Sequence, residues 1–159
     1  MTLPHINSIG FTCSNLEATT NFFCQGLGFQ TQGEPKELRG GTYVDFLGLN
    51  VAVLRIQRLD IGAETLELTQ VVEPGPNARP GRPIPADSRS NDLWFQHMCL
   101  VVSDLELALE QLKRVRPAGG EDAISSAPQL LPEWNPAAAG IWAYKFRDPE
   151  GHPLELLHF

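Results

Sequence analysis

The chain has 159 residues, 42% of them hydrophobic, and a formal net charge of −7. That length suits one compact domain or two small coupled modules with enough apolar residues for a core. The acidic balance argues against a nucleic-acid-binding surface, no apolar run approaches membrane-spanning length, and the N-terminus shows no signal-peptide pattern.

Ile6 to Cys13 is β-branched and apolar, the mark of a strand. Ser14 to Glu17 then reads as a capping box opening a helix, with Leu16, Phe22 and Phe23 as its buried stripe. Gly26-Leu27-Gly28 stops that helix. Phe29–Gln32, Thr42–Leu47, Val51–Ile56 and Thr65–Val72 read as strands, with turns at Gly40-Gly41 and Gly48–Asn50. The segment Glu73–Pro85 holds five prolines and reads as an extended linker. The arginine-bearing stretch Arg79–Asp92 either wraps the surface or covers a pocket.

The pattern then repeats. Phe95–Val102 is a strand and Ser103–Glu106 a second capping box. Leu105, Leu109 and Leu112 mark one helix face, and Pro117 and Gly119-Gly120 end the helix. Ile124–Ser126 is a weak strand, Ile141–Phe146 and Leu154–Phe159 strong ones, and Asp148-Pro149-Glu150-Gly151 joins the last two as a hairpin turn. The Ser-x-Leu-Glu boxes start at Ser14 and Ser103, 89 positions apart, and the strand glutamates Glu67 and Glu155 lie 88 apart. So long a period marks a duplicated unit rather than a solenoid. The expected fold is α+β: two βαβββ modules, curled mixed sheets around a central cleft with helices outside. Residues 1–73 form the first module, 74–94 a Pro-rich linker and 95–159 the second.

Strand alternation says which side chains share a face. Ile9, Phe11 and Cys13 face the helix, which turns Ser8 away from it; Leu66 and Leu68 do the same for Glu67. Met98, Leu100 and Val102 leave His97 on the opposite side, and Leu154 and Leu156 leave Glu155 there. The face away from the helices therefore carries Ser8, Glu67, His97 and Glu155 at matching places. Val71, Val101, Leu157 and Phe159 on the same face read as a cavity wall rather than a solvated surface.

The segments SNLEATTNFFCQGLGF, SDLELALEQL and FRDPEGHPLEL, in this order and period, resemble the vicinal oxygen chelate superfamily, the glyoxalase, bleomycin-resistance and extradiol-dioxygenase group. The resemblance implies a cleft that holds a divalent metal on side chains from the first and last strand of each module. It places the metal ligands at Glu67, His97 and Glu155, with Zn, Ni, Mn, Fe or Co as the suspected ion. The fourth family position, usually His or Gln, falls on Ser8, whose un-ionised hydroxyl is a poor ligand. His5 has the wrong parity to replace it. Two carboxylates buried without neutralisation are costly, which favours a cation, or a cationic ligand group, between them.

From this follows a metal-assisted lyase or isomerase acting on a small oxygen-rich substrate, stabilising an oxyanion on the metal and moving a proton with Glu67 or Glu155 as catalytic carboxylate. The alternative is a metal-free, bleomycin-resistance-like binding protein, for which Ser8 is the best argument; an extradiol-type dioxygenase ranks third, because the iron triad is incomplete. Ser8, Arg55, Trp142 and Tyr144 are the candidate substrate-binding residues, Asp45 and Trp134 further candidates for the cleft wall, and LLPEWNP at 130–136 a candidate lid. His152 and His158 read as structural or surface residues. Cys13, Cys24 and Cys99 are odd in number and sit in expected elements, which fits free thiols in the cytoplasm. The expected partner is a small molecule, with neither nucleic acid nor membrane; a homodimer is allowed.

Overall fold

The computed structural model describes residues 6–49, 51–74, 81–116, 123–133, 136 and 139–159. His5, Trp134 and the helix stop at Pro117–Gly120 lie outside them. The chain divides into two compact units, 1–82 and 83–159.

The first unit begins with strand β1 (Ile9–Cys13) and helix α1 (Leu16–Asn21), followed by a π-helical turn at Phe22–Gly26. Strands β2 (Gln30–Thr31), β3 (Lys36–Arg39), β4 (Val51–Ile61) and β5 (Glu64–Pro74) complete it, with a short helix α2 (Thr42–Phe46) between β3 and β4. The sheet order is β1-β5-β4-β2, with β3 also paired to β4. The second unit repeats the plan: β6 (Met98–Val101), α3 (Leu105–Val115), β7 (Gln129–Leu130), β8 (Trp142–Arg147) and β9 (Pro153–His158), in sheet order β6-β9-β8-β7. In each unit the first and last strands are parallel and the last two antiparallel. Both sheets are therefore mixed, as the α+β reading expects.

The helices bury the faces that periodicity assigned. Leu16, Phe22 and Phe23 are buried, and Phe23 meets Phe22 and Phe29 edge-on at 5.4 and 5.3 Å. α1 packs on β4 and β5, against the side where Leu66 and Leu68 are sealed. In the second unit Leu105 and Leu112 of α3 are buried, and α3 packs on β9 where Leu154 and Leu156 are sealed. The Arg116 guanidinium at the end of α3 stands 5.4 Å above the Phe146 ring.

Three expectations need correction. The helix caps are Asn15 and Asp104, one residue beyond the serines: Asn15 Oδ1 accepts from the Ala18 amide at 3.0 Å and Asp104 Oδ1 from the Leu107 amide at 2.9 Å. An Asn or Asp oxygen serves this role at least as well as a serine hydroxyl, and the Ser14 carbonyl instead accepts from Gln70 Nε2 at 2.6 Å. Thr42–Leu47 is helix α2 rather than a strand, because Val44 seals against Leu54, with Leu38, Tyr43 and Val71 around it. The sheet edge is supplied by Lys36–Arg39, and in the second unit the strand expected at Ile124–Ser126 is a bend, its edge place taken by β7.

The stretch before β6 wraps the second unit. Ser88 is buried, its carbonyl accepts from Arg147 Nη2 at 2.6 Å, and its hydroxyl accepts from Trp94 Nε1 at 3.2 Å. The turn Asp148–Gly151 closes with the Gly151 amide donating to the Asp148 carbonyl at 3.0 Å, and Gly151 takes φ +92°, where a side chain is strained.

Candidate functional site

In each unit the sheet face away from its long helix carries a glutamate on the last strand. Residues paired across a sheet point to the same face. In the first unit Glu67 is paired with Gly10 of β1 and Arg58 of β4. In the second, Glu155 is paired with Cys99 of β6 and Lys145 of β8. The two sites thus share a plan: a strand glutamate with a cation directly across its own hairpin. Arg58 Nε lies 3.9 Å from Glu67 Oε2, and Lys145 Nζ lies 3.9 Å from Glu155 Oε2.

Helix α2 adds a third group to the first unit. It lies on the same face as Glu67, packed through Val44 on Leu54 and Val71, and so delivers Tyr43 to the glutamate. The Tyr43 hydroxyl donates to Glu67 Oε1 at 2.7 Å. That bond, more than burial, raises the phenol above its ordinary value near 10.0. Beside the pair lies a cavity of about 250 Å³ lined by Lys36, Leu38, Tyr43, Ile56, Arg58 and Glu67, with the exposed Gln32 and Glu34 completing it. Ser8 is half-buried, two residues before Gly10, and by alternation shares the face of Glu67. A side-chain carbon at Gly10 would meet nothing within 4 Å, so the space over β1 next to Glu67 is open.

In the second unit His97 Nε2 is 2.9 Å from Glu155 Oε2. The Cys99 thiol is raised above its ordinary value by desolvation first and by the Glu155 charge second, with Lys145 opposing. A raised thiol has little thiolate at neutral pH, so Cys99 is a poor nucleophile. His152 and His158 are structural: His152 Nδ1 pairs with buried Asp148 at 2.7 Å, and His158 Nδ1 meets the Val102 carbonyl at 3.2 Å.

Three expected substrate residues sit elsewhere. Arg55 is paired with Gln70 on the helix side and reaches Glu17 of α1 at 3.5 Å. Trp142 and Tyr144 are paired with His158 and Leu156, on the same side as Phe146 and α3, and not with Glu155. Asp45 is on α2. The residues that do share the glutamate faces, Lys36, Tyr43, Arg58 and Lys145, were not singled out in the sequence. For Arg58 and Lys145 a signal existed, since each is the polar position across the hairpin from a marked glutamate; for Tyr43 none did, because its segment read as a strand.

Paired units of this order, β-α-β-β-β with parallel first and last strands, define the vicinal oxygen chelate class of α+β proteins. The chain belongs to the Glyoxalase/Bleomycin resistance protein/Dioxygenase superfamily, whose model matches residues 3–156. Solved structures with the same fold include a glyoxalase family protein from Bacillus cereus (17% identity, TM-score 0.74, covering 99% of this chain and 95% of that one). Another is a glyoxalase family protein from Enterococcus faecalis (22% identity, TM-score 0.62, 99% and 100%). A third is a fosfomycin resistance protein from Mesorhizobium loti (14% identity, TM-score 0.59, 99% and 94%). No curated protein sequence matches the chain. Members of the superfamily commonly bind small molecules and commonly use divalent metals. No helix among the described residues is long and apolar enough to cross a membrane.

The donor set fits a metal poorly. Among the described residues no group of three or more His, Cys, Asp and Glu side chains comes together to hold an ion. The carboxylates also have counter-charges already. The case for a cation rested on two unneutralised glutamates, and each has a cationic side chain beside it: Arg58 for Glu67, which also accepts from Tyr43, and Lys145 for Glu155, which also meets His97. An ion at either glutamate must displace a hydrogen bond or stand beside an ammonium or guanidinium, which its own charge opposes.

Proposed function

We propose that this chain is a metal-independent small-molecule-binding protein of its superfamily, with the ligand seated on the glutamate-bearing sheet face. One observation carries the reading: the cation across each hairpin, Arg58 for Glu67 and Lys145 for Glu155, occupies the electrostatic role that a divalent ion would fill. Ser8, at the position where the family usually has His or Gln, supports it. The three free thiols support a reducing cytoplasm as its compartment.

A second reading, a metal-assisted lyase or isomerase, is favoured by the 2.9 Å approach of His97 Nε2 to Glu155 Oε2. Imidazole and carboxylate together are a usual start to a borderline-metal site. In that reading Glu155 moves the proton, and the metal supplies charge for an oxyanion when bound.

Calorimetric titration of chelator-treated protein with Zn²⁺ and Ni²⁺ separates the two. The metal-independent reading expects no stoichiometric binding. One ion per chain, lost in a His97→Ala, Glu155→Gln double variant, would overturn it in favour of the lyase or isomerase.

A further inference from the structure

The cavity of the first unit has an uncommon charge balance. Its walls hold two cations, Lys36 and Arg58, and two carboxylates, Glu34 and Glu67. A simple anion site would be basic throughout, and a cation site acidic throughout. Equal and opposite charges around one small space suit a ligand with an anionic group at one end and a hydrogen-bond donor close beside it.

The bonding state of the groups gives the same answer. The Arg58 guanidinium makes no hydrogen bond among the described residues, and its Nε is buried. Its one ion-pair partner among the described residues is Glu67, at 3.9 Å, too long for a direct hydrogen bond. Lys36 forms no ion pair among the described residues. Of the two Glu67 oxygens, Oε1 accepts from Tyr43, and Oε2 accepts from no donor among the described residues. A fork of guanidinium donors and one carboxylate oxygen therefore stand side by side in the cavity, neither satisfied by the other. The Tyr43 bond fixes the glutamate so that Oε2 is the oxygen left facing Arg58. Leu38 and Ile56 supply an apolar wall, which limits the space for a bulky polar ligand.

We infer that this cavity binds a small carboxylate bearing a neighbouring hydroxyl, a 2-hydroxy acid in chemical class. The carboxylate accepts from Arg58 and Lys36, and the hydroxyl donates to Glu67 Oε2. Guanidinium and carboxylate match in geometry, and hydrogen bonds to charged partners are the stronger ones. The inference deepens the metal-independent reading above and rests on it for the role of the glutamate face.

The test is nitrogen–proton NMR on the full chain with chelator present throughout, titrating glycolate, acetate and inorganic phosphate. Glycolate is expected to move the Arg58 Nε–H signal and the amides of Lys36 and Glu67. Acetate, which lacks the hydroxyl, is expected to bind about tenfold more weakly, the scale of one lost hydrogen bond to a charged group. Arg58→Gln should abolish the response; the exposed Lys36→Met, which leaves the sheet intact, should weaken it. Absence of any shift with glycolate, acetate or phosphate binding as well as glycolate, or an unchanged glycolate response in Lys36→Met and a folded Arg58→Gln, would each overturn the assignment. Failure here with no metal bound in the calorimetric titration removes the ligand class alone. Metal binding there, with glycolate still mapping to Lys36 and Arg58, removes the metal-independent reading alone.

Discussion

The Tyr43 hydroxyl donates to Glu67 Oε1 across 2.7 Å, tying a short helix to the last strand of its sheet. Tyr43→Phe deletes that donor and keeps the ring against the Val44–Leu54 cluster. We expect a loss of about 1 kcal/mol at neutral pH in chemical denaturation. The phenol is raised above its ordinary value near 10.0 in the folded chain, so its share of stability is present below that pH. That share falls as pH rises through the folded value. The stability gap between the native chain and Tyr43→Phe should therefore hold steady up to about pH 9 and shrink above about pH 10. A gap that widened in alkali would contradict the hydrogen-bond assignment.

The caps give a sharp comparison within one helix. Asp104→Ala removes the acceptor for the Leu107 amide and is expected to cost about 1 kcal/mol. Ser103→Ala, at the exposed residue before it, should stay within about 0.5 kcal/mol of the native chain. Equal losses in urea denaturation would return the cap to the serine.

Phe146 is fully buried beneath Arg116 and beside Tyr144. Phe146→Ala leaves a cavity on the helix side of the second sheet. The expected loss is about 3–5 kcal/mol, read from the denaturation midpoint at constant slope. A loss below about 1 kcal/mol would mean that this side of the sheet is loosely packed.

The hairpin turn of the second unit depends on a buried carboxylate. Asp148 is 1% exposed. Its Oδ1 accepts from the Glu150 and His152 amides at 3.0 and 2.8 Å, and its Oδ2 meets His152 Nδ1 at 2.7 Å. Asp148→Ala strands these donors, and a loss of about 2 kcal/mol or more is expected. His152→Ala should cost less, because both amide bonds to Asp148 survive it; the reverse order by thermal denaturation would contradict this account.

Both glutamate faces were legible from alternation within single strands. Leu66 and Leu68 against Glu67, and Leu154 and Leu156 against Glu155, follow a period of two that survives folding. Their cross-strand neighbours were harder to read. In β4 the alternation is blurred because Val53, Leu54, Ile56, Gln57 and Leu59 are all buried, with α2 covering part of the second face. Arg55 and Arg58 then look equally available, and only the strand register separates them. In β8 a signal was present: Trp142, Tyr144 and Phe146 alternate with Lys145 and Arg147, so a buried Phe146 carries both other aromatics to its own side. Helix α2 was hidden for another reason. Four of its five residues, Thr42, Tyr43, Val44 and Phe46, are β-branched or aromatic and favour a strand, and packing against Leu54 and Val71 overrides that preference. The caps were off by one because Ser-Asn and Ser-Asp each offer two competent acceptors in succession.

Arg58 and Lys145 stand at corresponding places in the duplicated plan yet differ in chemistry. A guanidinium is a flat, permanently charged fork, while an ammonium is a compact head on a flexible stem. Each half of the duplication settles its own carboxylate, so neither half constrains what the other keeps. One half sets a rigid donor beside its glutamate and the other a flexible one. A single repeated plan thus holds two unlike cations, and a substitution at either one leaves the charge pair of the other half in place.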